Sequence, residues 1–196
     1  IKLDLDVRCQ ELISGILLAA FPDHCIKGEE GDSGNPAGDT QWIVDPIDGT
    51  VNYYYGIPHF CVSIAAKQNG EYVAGVIHDP MQDETWTIEK GGTPMRNGKA
   101  IHTSGRDRLA DAGATVGFSK SREALEASFD RFKRISVDVR KTRMLGSAAL
   151  ALAYVACGRL DAYIEEQISE WDIAAGRMLL EAAGGNFHME PSRTHA

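Results

Sequence analysis

The sequence predicts an α+β fold that shades into α/β, with layers of helix and sheet alternating. Three observations predict it: a helical hydrophobic period opens the chain, strands joined by tight turns fill residues 60–90, and strand alternates with helix after about residue 110. The 196 residues are 43% hydrophobic and 24% charged, which is typical of a folded globular protein and not of a disordered chain.

The first part of the chain begins with a helix. Apolar residues recur at helical spacing over 9–20, and Pro22 ends the pattern. Gly, Asn and Pro crowd residues 31–38, which predicts a mobile loop there. The apolar run 42–44 enters a polar turn and is typical of a buried strand.

An antiparallel meander follows. Its predicted strands are 60–66, 72–78 and 85–89. Asn69-Gly70 between the first two is a strong hairpin signal, and residues 94–98 predict another turn. The sequence therefore indicates consecutive strands that pair as neighbours.

The second part of the chain alternates strands with helices. Strands are predicted at 114–118 and 160–164, and helices at 121–135, 147–157 and 171–183. Ser121 is the expected cap of the first of these helices, with Glu123 and Glu126 at its positive end. Gly158 and Gly184-Gly185 stand where the other two should end. We expect one domain over 1–196, with halves 1–110 and 111–196.

Charge and cysteine usage exclude several classes of protein. Twenty-eight acidic and 20 basic residues give a net charge of −8, which argues against a nucleic-acid partner because phosphate backbones attract basic proteins. No apolar run approaches about 18 residues, so no membrane span is expected. The four cysteines form no CxxC pair and are expected to be buried thiols, which, with no signal-peptide pattern, favours the cytoplasm.

Residues 45–50 are the most informative stretch. They read Asp-Pro-Ile-Asp-Gly-Thr directly after the predicted buried strand. A turn at a strand end can aim both carboxylates and a backbone carbonyl into one cleft, which suits a hard cation. The amides of Gly49 and Thr50 can open a helix N-terminus that binds phosphate. A lone Asp-x-x-Asp is usually an exposed turn, but the full hexapeptide occurs by chance in roughly 1 in 100,000 chains of this length.

Two further segments carry acids. Asp172, in Trp-Asp-Ile-Ala-Ala-Gly, opens an Ala-rich helix, where helix capping is the common role. Glu29 lies in Gly-Glu-Glu just before the glycine-rich loop, and by itself such a pair usually marks a solvated face. Glu165-Glu166 is equally ambiguous alone.

Together with Gly146-Ser147-Ala148 and residues 58–65, these motifs resemble the inositol monophosphatase family, within the magnesium-dependent, lithium-sensitive sugar-phosphatase superfamily. The resemblance spans roughly residues 6–190. It implies a layered αβαβα sandwich and a homodimer. It also implies a phosphomonoesterase that binds two or three Mg²⁺ ions and uses direct attack of a metal-activated water.

The resemblance also implies roles for individual residues. The implied metal ligands are Glu29, Asp45, the Ile47 carbonyl, Asp48 and Asp172, with Asp45 bridging two ions. The implied catalytic residues are Glu29, Asp45 and Thr50, of which Thr50 and Glu29 position the attacking water. The implied substrate contacts are Asp48, Gly49, Thr50, Gly146, Ser147, Ala148, Glu165 and Asp172.

The sequence also departs from the family pattern. Gln10 stands where Glu is common, and Glu170 stands where many relatives have Pro. Family chains carry further segments at both ends, including an upstream mobile catalytic loop with a lysine. We expect the true N-terminus to lie upstream, because the chain begins at Ile1.

Several functions fit this pattern. The first is hydrolysis of a small polyol phosphate such as inositol monophosphate; Val51-Asn52-Tyr53 resembles that branch. A fructose-1,6-bisphosphatase is the next alternative, followed by phosphatases of histidinol phosphate or 3′-phosphoadenosine nucleotides. A non-catalytic binding protein of the same fold is a different class, which the intact acids disfavour.

Three other features leave their interpretation open. The basic cluster 140–143 beside Gly146 holds a second substrate phosphate, pairs with a partner subunit or is simply solvated. Tyr53-Tyr54-Tyr55 is interpreted as packing and dimer surface. His59, His78 and His102 lack metal-ligand spacing and are interpreted as structural.

Overall fold

The computed structural model describes residues 3–118 and 122–190. Its helices are α1 (Asp4–Ala20), α2 (Thr50–Tyr54), α3 (Arg122–Asp138), α4 (Ala148–Ala156) and α5 (Glu170–Ala182). A short 3₁₀ turn covers Leu109–Asp111. The predicted cap at Ser121 and the side chain of Glu123 lie outside the described residues. None of the helices within the described ranges combines the length and apolarity needed to cross a bilayer.

A large mixed sheet forms the first half. Its strands are β1 (Cys25–Gly28), β2 (Ser33–Gly34), β3 (Thr40–Asp48), β4 (Cys61–Gln68), β5 (Glu71–Asp79), β6 (Glu84–Glu89), β7 (Met95–Arg96) and β8 (Lys99–Ala100). They lie in the order β2-β1-β3-β4-β5-β6-β7-β8. Within the described residues, β1 and β3 pair in parallel, and every other pair of neighbouring strands in this sheet is antiparallel. Asn69 (φ 49°) and Gly70 (φ 84°) form the tight turn between β4 and β5, so the predicted hairpin is confirmed.

A smaller parallel sheet belongs to the second half. It contains β9 (Gly113–Val116), β10 (Lys141–Arg143) and β11 (Ala162–Ile164) in the order β10-β9-β11. Helix α1 packs on β1 and β3, α5 on β3 to β6, α4 between α5 and β11, and α3 on β10. The layers alternate as α1, large sheet, α4 with α5, small sheet and α3, which is the predicted αβαβα arrangement.

The core lies around helices α4 and α5. Nearly every residue of α4 is buried, and it approaches α5 closely at Gly176, where an added Cβ would lie 2.6 Å from the Cβ of Leu152. Trp86 of β6 is fully buried in the same core. This packing places the N-termini of α4 and α5 beside the end of β3, and that junction is where the predicted site residues meet.

The structure corrects one local prediction, adds a strand that the sequence did not predict and changes the buried face of one helix. Segment 31–38 contains β2, which pairs with β1. Residues 141–143 form β10, because they find a parallel partner in β9. The predicted helix α1 is confirmed, but Leu12 (65% exposed) and Ile16 (63%) face outward, and its buried residues are Asp6 and Gln10.

Candidate metal centre and active site

Two carboxylates of the site come from the end of β3. The predicted turn at 45–48 is wrong, because β3 continues through Asp48. Asp45 pairs with Ser63 and Asp48 with Cys61, so β3 carries one residue more than β4 between these pairs, a β-bulge. Pro46 lacks an N–H donor and is tolerated at such an irregularity. The bulge breaks the strict alternation of the strand, and both carboxylates are buried together.

The third carboxylate comes from the first turn of α5. Asp172 accepts the Ser169 backbone N–H at 2.8 Å and forms a capping box with it. Carboxylate oxygens of Asp45, Asp48 and Asp172 all lie within 4.8 Å of one another. Asp172 therefore caps helix α5 and also contributes a carboxylate to the site. The structure brings together three of the four predicted acidic ligands, and we call them the acid cluster.

The acid cluster concentrates negative charge away from water. Burial raises the pKa of Asp45 well above its ordinary value, and the charges of Asp48, Glu29 and Asp172 raise it further. Burial also raises the pKa of Asp48 to about 7, against a hydrogen bond from Ser147 that lowers it. Such carboxylates need protons or a cation nearby, so the cluster is suited to a divalent metal ion.

Helix α4 holds Asp48 in place. The Ser147 hydroxyl donates to Asp48 at 2.5 Å, and the backbone N–H groups of Ala149 and Ala148 donate at 2.7 and 3.2 Å. Ser147 also caps α4 by accepting the Leu150 N–H. The Gly146-Ser147-Ala148 loop, predicted as a substrate contact, is thus first of all the support of an acid-cluster residue.

Glu29 and Thr50 adjoin the acid cluster. The Glu29 N–H donates to the Val44 carbonyl at 3.1 Å. Burial raises the pKa of the Glu29 carboxyl, the charge of Asp172 raises it too, and a hydrogen bond with Asp45 lowers it. The Thr50 hydroxyl donates to the Ile47 carbonyl at 3.0 Å, so these two predicted residues touch.

Gly49 makes the turn out of β3 into α2. It adopts φ 97°, a left-handed conformation that L side chains rarely adopt, as the N-cap of α2. An added Cβ would lie 3.0 Å from the His59 carbonyl. Both the backbone conformation and the lack of space for a side chain require glycine at position 49, which explains why the motif has glycine there.

A cavity of about 440 Å³ opens beside the acid cluster, a size typical of small-molecule sites. Its predicted lining residues are Asp48, Gly146, Ser147, Ala148, Glu165 and Asp172. Its other lining residues are Asn52, Val116, Gly117, Phe118, Met144, Leu145, Gln167 and Ile168. One cavity therefore joins the acid cluster to most of the predicted substrate contacts.

Glu165 lies at the end of β11, on the wall of this cavity. It accepts a hydrogen bond from the Tyr163 hydroxyl. Burial raises the pKa of its carboxyl, the Tyr163 hydrogen bond lowers it, and the charge of Asp172 raises it. An added Cβ on Gly117 would collide with the Glu165 carboxylate, so Glu165 can lie in this position because residue 117 is glycine, and a larger residue would make its side chain shift.

Sequence reasoning missed eight of the lining residues, and two of these, Asn52 and Gln167, have distinctive geometry. The Asn52 side-chain amide donates to the carbonyls of Leu145 and His59, both at 2.8 Å, and lies under Gly146. Asn52 follows the hexapeptide by two residues, and this position in the sequence could have indicated that it lies near the site. Gln167 adopts φ 59°, a conformation that strains a side-chain-bearing residue, and no sequence signal marked it.

The basic cluster lies outside the cavity. Arg140 pairs with Asp111 at 2.8 Å, and Lys141 and Arg143 are exposed. Over the described residues, the cavity lining reaches Met144 and stops short of this cluster. These contacts favour a structural or solvated role for Arg140. Binding of a second substrate phosphate and pairing with a partner subunit stay predictions.

The three histidines make ordinary structural contacts. The His59 ring packs against Tyr154, His78 bonds the Thr85 hydroxyl, and His102 bonds the Thr103 carbonyl. Among the described residues, the acid cluster contains no histidine or cysteine.

Fold and site together define a class: a layered α+β protein whose buried acid cluster can hold a metal ion next to a small-molecule cavity. The model of the inositol monophosphatase family matches residues 3–190, and the chain belongs to that family. The fold and the family predicted from the sequence are confirmed.

Known relatives share most of this chain. The Nus factor SuhB of Xylella fastidiosa is 42% identical over 184 residues, which cover 93% of this chain and 66% of the relative. The fructose-1,6-bisphosphatase/inositol-1-monophosphatase of Thermotoga maritima is 39% identical over 182 residues, 93% of this chain and 68% of the relative. The solved inositol monophosphatase of Anabaena superposes with a TM-score of 0.86 at 39% identity, covering 91% of this chain and 72% of that one. The chain thus spans about two thirds of the length of these curated relatives.

Proposed function

We propose that this chain is a magnesium-dependent phosphomonoesterase that hydrolyses a small polyol phosphate, inositol monophosphate first, by direct attack of water. The acid cluster at the edge of the cavity is the observation that carries this proposal. Membership of the family supports a phosphatase enzyme.

The donor set favours a hard divalent cation. Asp45, Asp48 and Asp172 offer only oxygen, and Glu29 and the Ile47 carbonyl beside them offer more. We propose these five groups as the ligands of two or three Mg²⁺ ions. Bound there, the ions would neutralise phosphoryl charge and lower the pKa of a coordinated water.

The remaining residues would bind and orient the substrate. We propose that the Gly49 and Thr50 amides bind the phosphate, and that Thr50 with Glu29 positions the attacking water. Glu165 across the cavity accepts hydrogen bonds from the hydroxyls of the alcohol, since an ionised carboxylate is a pure acceptor. From its place beside Ser147, Asp48 would contact both the phosphate and the alcohol of the substrate.

The test is phosphate release from a panel of inositol, fructose, histidinol and phosphoadenosine phosphates, with Mg²⁺ and with excess EDTA. We expect release from inositol monophosphate that requires Mg²⁺ and is inhibited by Li⁺. Full turnover in excess EDTA would refute the metal assignment. Release from no member of the panel would favour a non-catalytic binding protein.

A bisphosphatase is the second candidate. The Thermotoga maritima relative carries both activities in its name, and the exposed Lys141 and Arg143 lie on the strand leading to Gly146. Faster release from fructose 1,6-bisphosphate than from inositol monophosphate would support it. A non-catalytic binding protein is the third candidate, because the relative named Nus factor SuhB carries no enzymatic activity in its name. The intact acid cluster argues against this candidate.

Glu165 should determine substrate choice. Glu165→Gln is expected to raise KM for inositol monophosphate by about tenfold, or roughly 1–2 kcal/mol of binding, with a smaller change in kcat. An aryl phosphate lacks the polyol hydroxyls and should be hydrolysed nearly as before. Steady-state kinetics on both substrates measure the effect. Equal loss on both would place Glu165 in the metal site instead.

We also propose a homodimer in the cytoplasm. Tyr53 packs edge-on against Phe60, while Tyr54 and Tyr55 beside it are exposed and available to a second copy. The four free cysteines agree with a reducing compartment. Sedimentation at micromolar concentration should show a dimer, and a monomer there would count against the proposal.

A further inference from the structure

Glu170, the first residue of α5, gathers side chains from three strands. Its carboxylate accepts hydrogen bonds from Lys27 Nζ of β1 at 2.8 Å, Lys67 Nζ of β4 at 2.9 Å and the Tyr72 hydroxyl of β5 at 2.7 Å. The Glu170 side chain is only 23% exposed. Lys67 also lies 5.2 Å above the Tyr72 ring. We call these four residues the Glu170 clamp.

The clamp spans the strands on both sides of the acid cluster. In the sheet, β3 lies between β1 and β4, so Lys27 and Lys67 flank the strand that carries Asp45 and Asp48. Glu170 itself stands two residues before Asp172 in the same helical turn. The clamp thus ties the turn that carries Asp172 to the neighbours of the strand that carries the other two acids.

The acid cluster creates a need for such a tie. Carboxylates of β3 and α5 within 4.8 Å of one another repel once they are ionised to bind a cation, and this repulsion favours movement of the first turn of α5 away from β3. The capping box of Ser169 and Asp172 is local to α5 and does not oppose this movement of the turn. The hydrogen bonds of Glu170 to side chains of β1, β4 and β5 oppose this movement, because they connect the turn to the sheet.

We propose that Glu170 is a positioning residue, whose clamp to Lys27, Lys67 and Tyr72 holds the first turn of α5 so that Asp172 is preorganised for a divalent cation. The inference rests on the proposed function only in that the cation is Mg²⁺. Groups that orient metal ligands typically change metal affinity by about 10–100-fold when removed.

The backbone offers a second way to fix the same turn. Ser169 has φ −91° and ψ 161°, which is the conformation allowed before proline. The N–H of the first helical residue has no partner within the helix, so proline costs no helical hydrogen bond there. Glu170→Pro therefore removes the clamp and its charge but retains a rigid first turn.

The experiment compares Glu170→Ala, Glu170→Pro and the milder Glu170→Gln in the full chain. Mg²⁺ affinity is measured by calorimetric titration, and Tm is measured with and without Mg²⁺. We expect Glu170→Ala to weaken Mg²⁺ binding by about tenfold and to reduce the rise in Tm that Mg²⁺ causes. Glu170→Gln should lose less, and Glu170→Pro should regain much of the affinity.

Glu84→Gln is the matched control. Glu84 accepts two hydrogen bonds from Arg159 at 2.5 and 2.6 Å and lies outside both the acid cluster and the lining of the 440 Å³ cavity. Its replacement should lower Tm equally with and without Mg²⁺ and leave the affinity for Mg²⁺ unchanged.

Two results would overturn the inference alone. Normal Mg²⁺ affinity in both Glu170→Ala and Glu170→Gln would give the clamp a merely structural role. Affinity as weak in Glu170→Pro as in Glu170→Ala would show that charge, and not the position of the turn, is what matters. A wild-type chain that binds no Mg²⁺ would overturn the proposed function and this inference together.

Discussion

Replacing Asp45 by asparagine is expected to lower phosphate release by at least about a thousandfold while the protein stays folded. Asp45 is only 1% exposed and lies in the acid cluster, with Glu29 on its other side. As the proposed bridging ligand, Asp45 would supply its charge to every cation that the site holds. Asparagine has the same shape and keeps an oxygen for the Ile47 N–H, which donates to Asp45 at 3.0 Å.

Asp79→Asn is the control matched for burial. Asp79 is fully buried at the end of β5 and accepts hydrogen bonds from the Met81 and Gln82 amides and from the Gln82 side chain, outside the acid cluster. This substitution should lower Tm and leave turnover unchanged. Without Mg²⁺, Asp45→Asn should be at least as stable as the wild type, since the free-energy cost of burying this acid beside other acids is gone. An active Asp45→Asn variant with normal Mg²⁺ dependence would show that the metal assignment is wrong.

Local patterns predicted the elements whose signal is local. Asn69-Gly70 has one strongly favoured conformation between two strands, and the helices over 147–157 and 171–183 carry both their periods and their glycine stops. Strands β2 and β10 have two and three residues, and they exist only because β1 and β9 lie beside them. No window of sequence contains that information.

The site shows the same division. The hexapeptide and Asp172 could be predicted because their residue types are specific to cation and phosphate chemistry. The hold of α4 on Asp48 joins residues about 100 positions apart, and the Glu170 clamp joins four elements. The glutamate that departs from the family pattern proved to be part of such a network, so a departure can mark a substitute interaction.

Without metal, the protein is expected to lose stability as the pH rises from 5 to 7.5. The pKa values of Glu29, Asp45, Asp48 and Asp172 are all raised in the folded state, that of Asp48 from 3.8 to about 7. Between the unfolded and folded pKa values, the folded chain holds protons that the unfolded chain has released. Stability is therefore greatest at the acidic end and falls as the pH passes the folded pKa. From pH 5 to the folded pKa of Asp48 is about two pH units, so at about 1.4 kcal/mol per unit this group alone accounts for a loss on the order of 3 kcal/mol.

Two other groups with shifted pKa values, His59 and Glu170, also affect how stability depends on pH. Burial lowers the pKa of His59, which works in the opposite direction and adds stability as the pH rises towards about 6.5. Hydrogen bonds from Lys27 and Lys67 outweigh burial and lower the pKa of Glu170 to about 2, so its contribution is complete above pH 5 and does not vary across the window. The opposing contribution of His59 is nearly complete above pH 6.5, so the fall that remains above this pH comes from the acids alone.

Urea unfolding at pH 5, 6.5 and 7.5, in EDTA and in excess Mg²⁺, measures this dependence. Bound cations replace the protons and bind more tightly as the acids ionise, so Mg²⁺ should remove the fall or reverse it. Asp48→Asn removes one of the shifted groups and should flatten the curve in EDTA while leaving the contribution of His59 intact. A wild-type chain whose metal-free stability rises steadily from pH 5 to 7.5 would show that the acids of the cluster are ionised and separated in solution, contrary to the geometry on which the metal site rests.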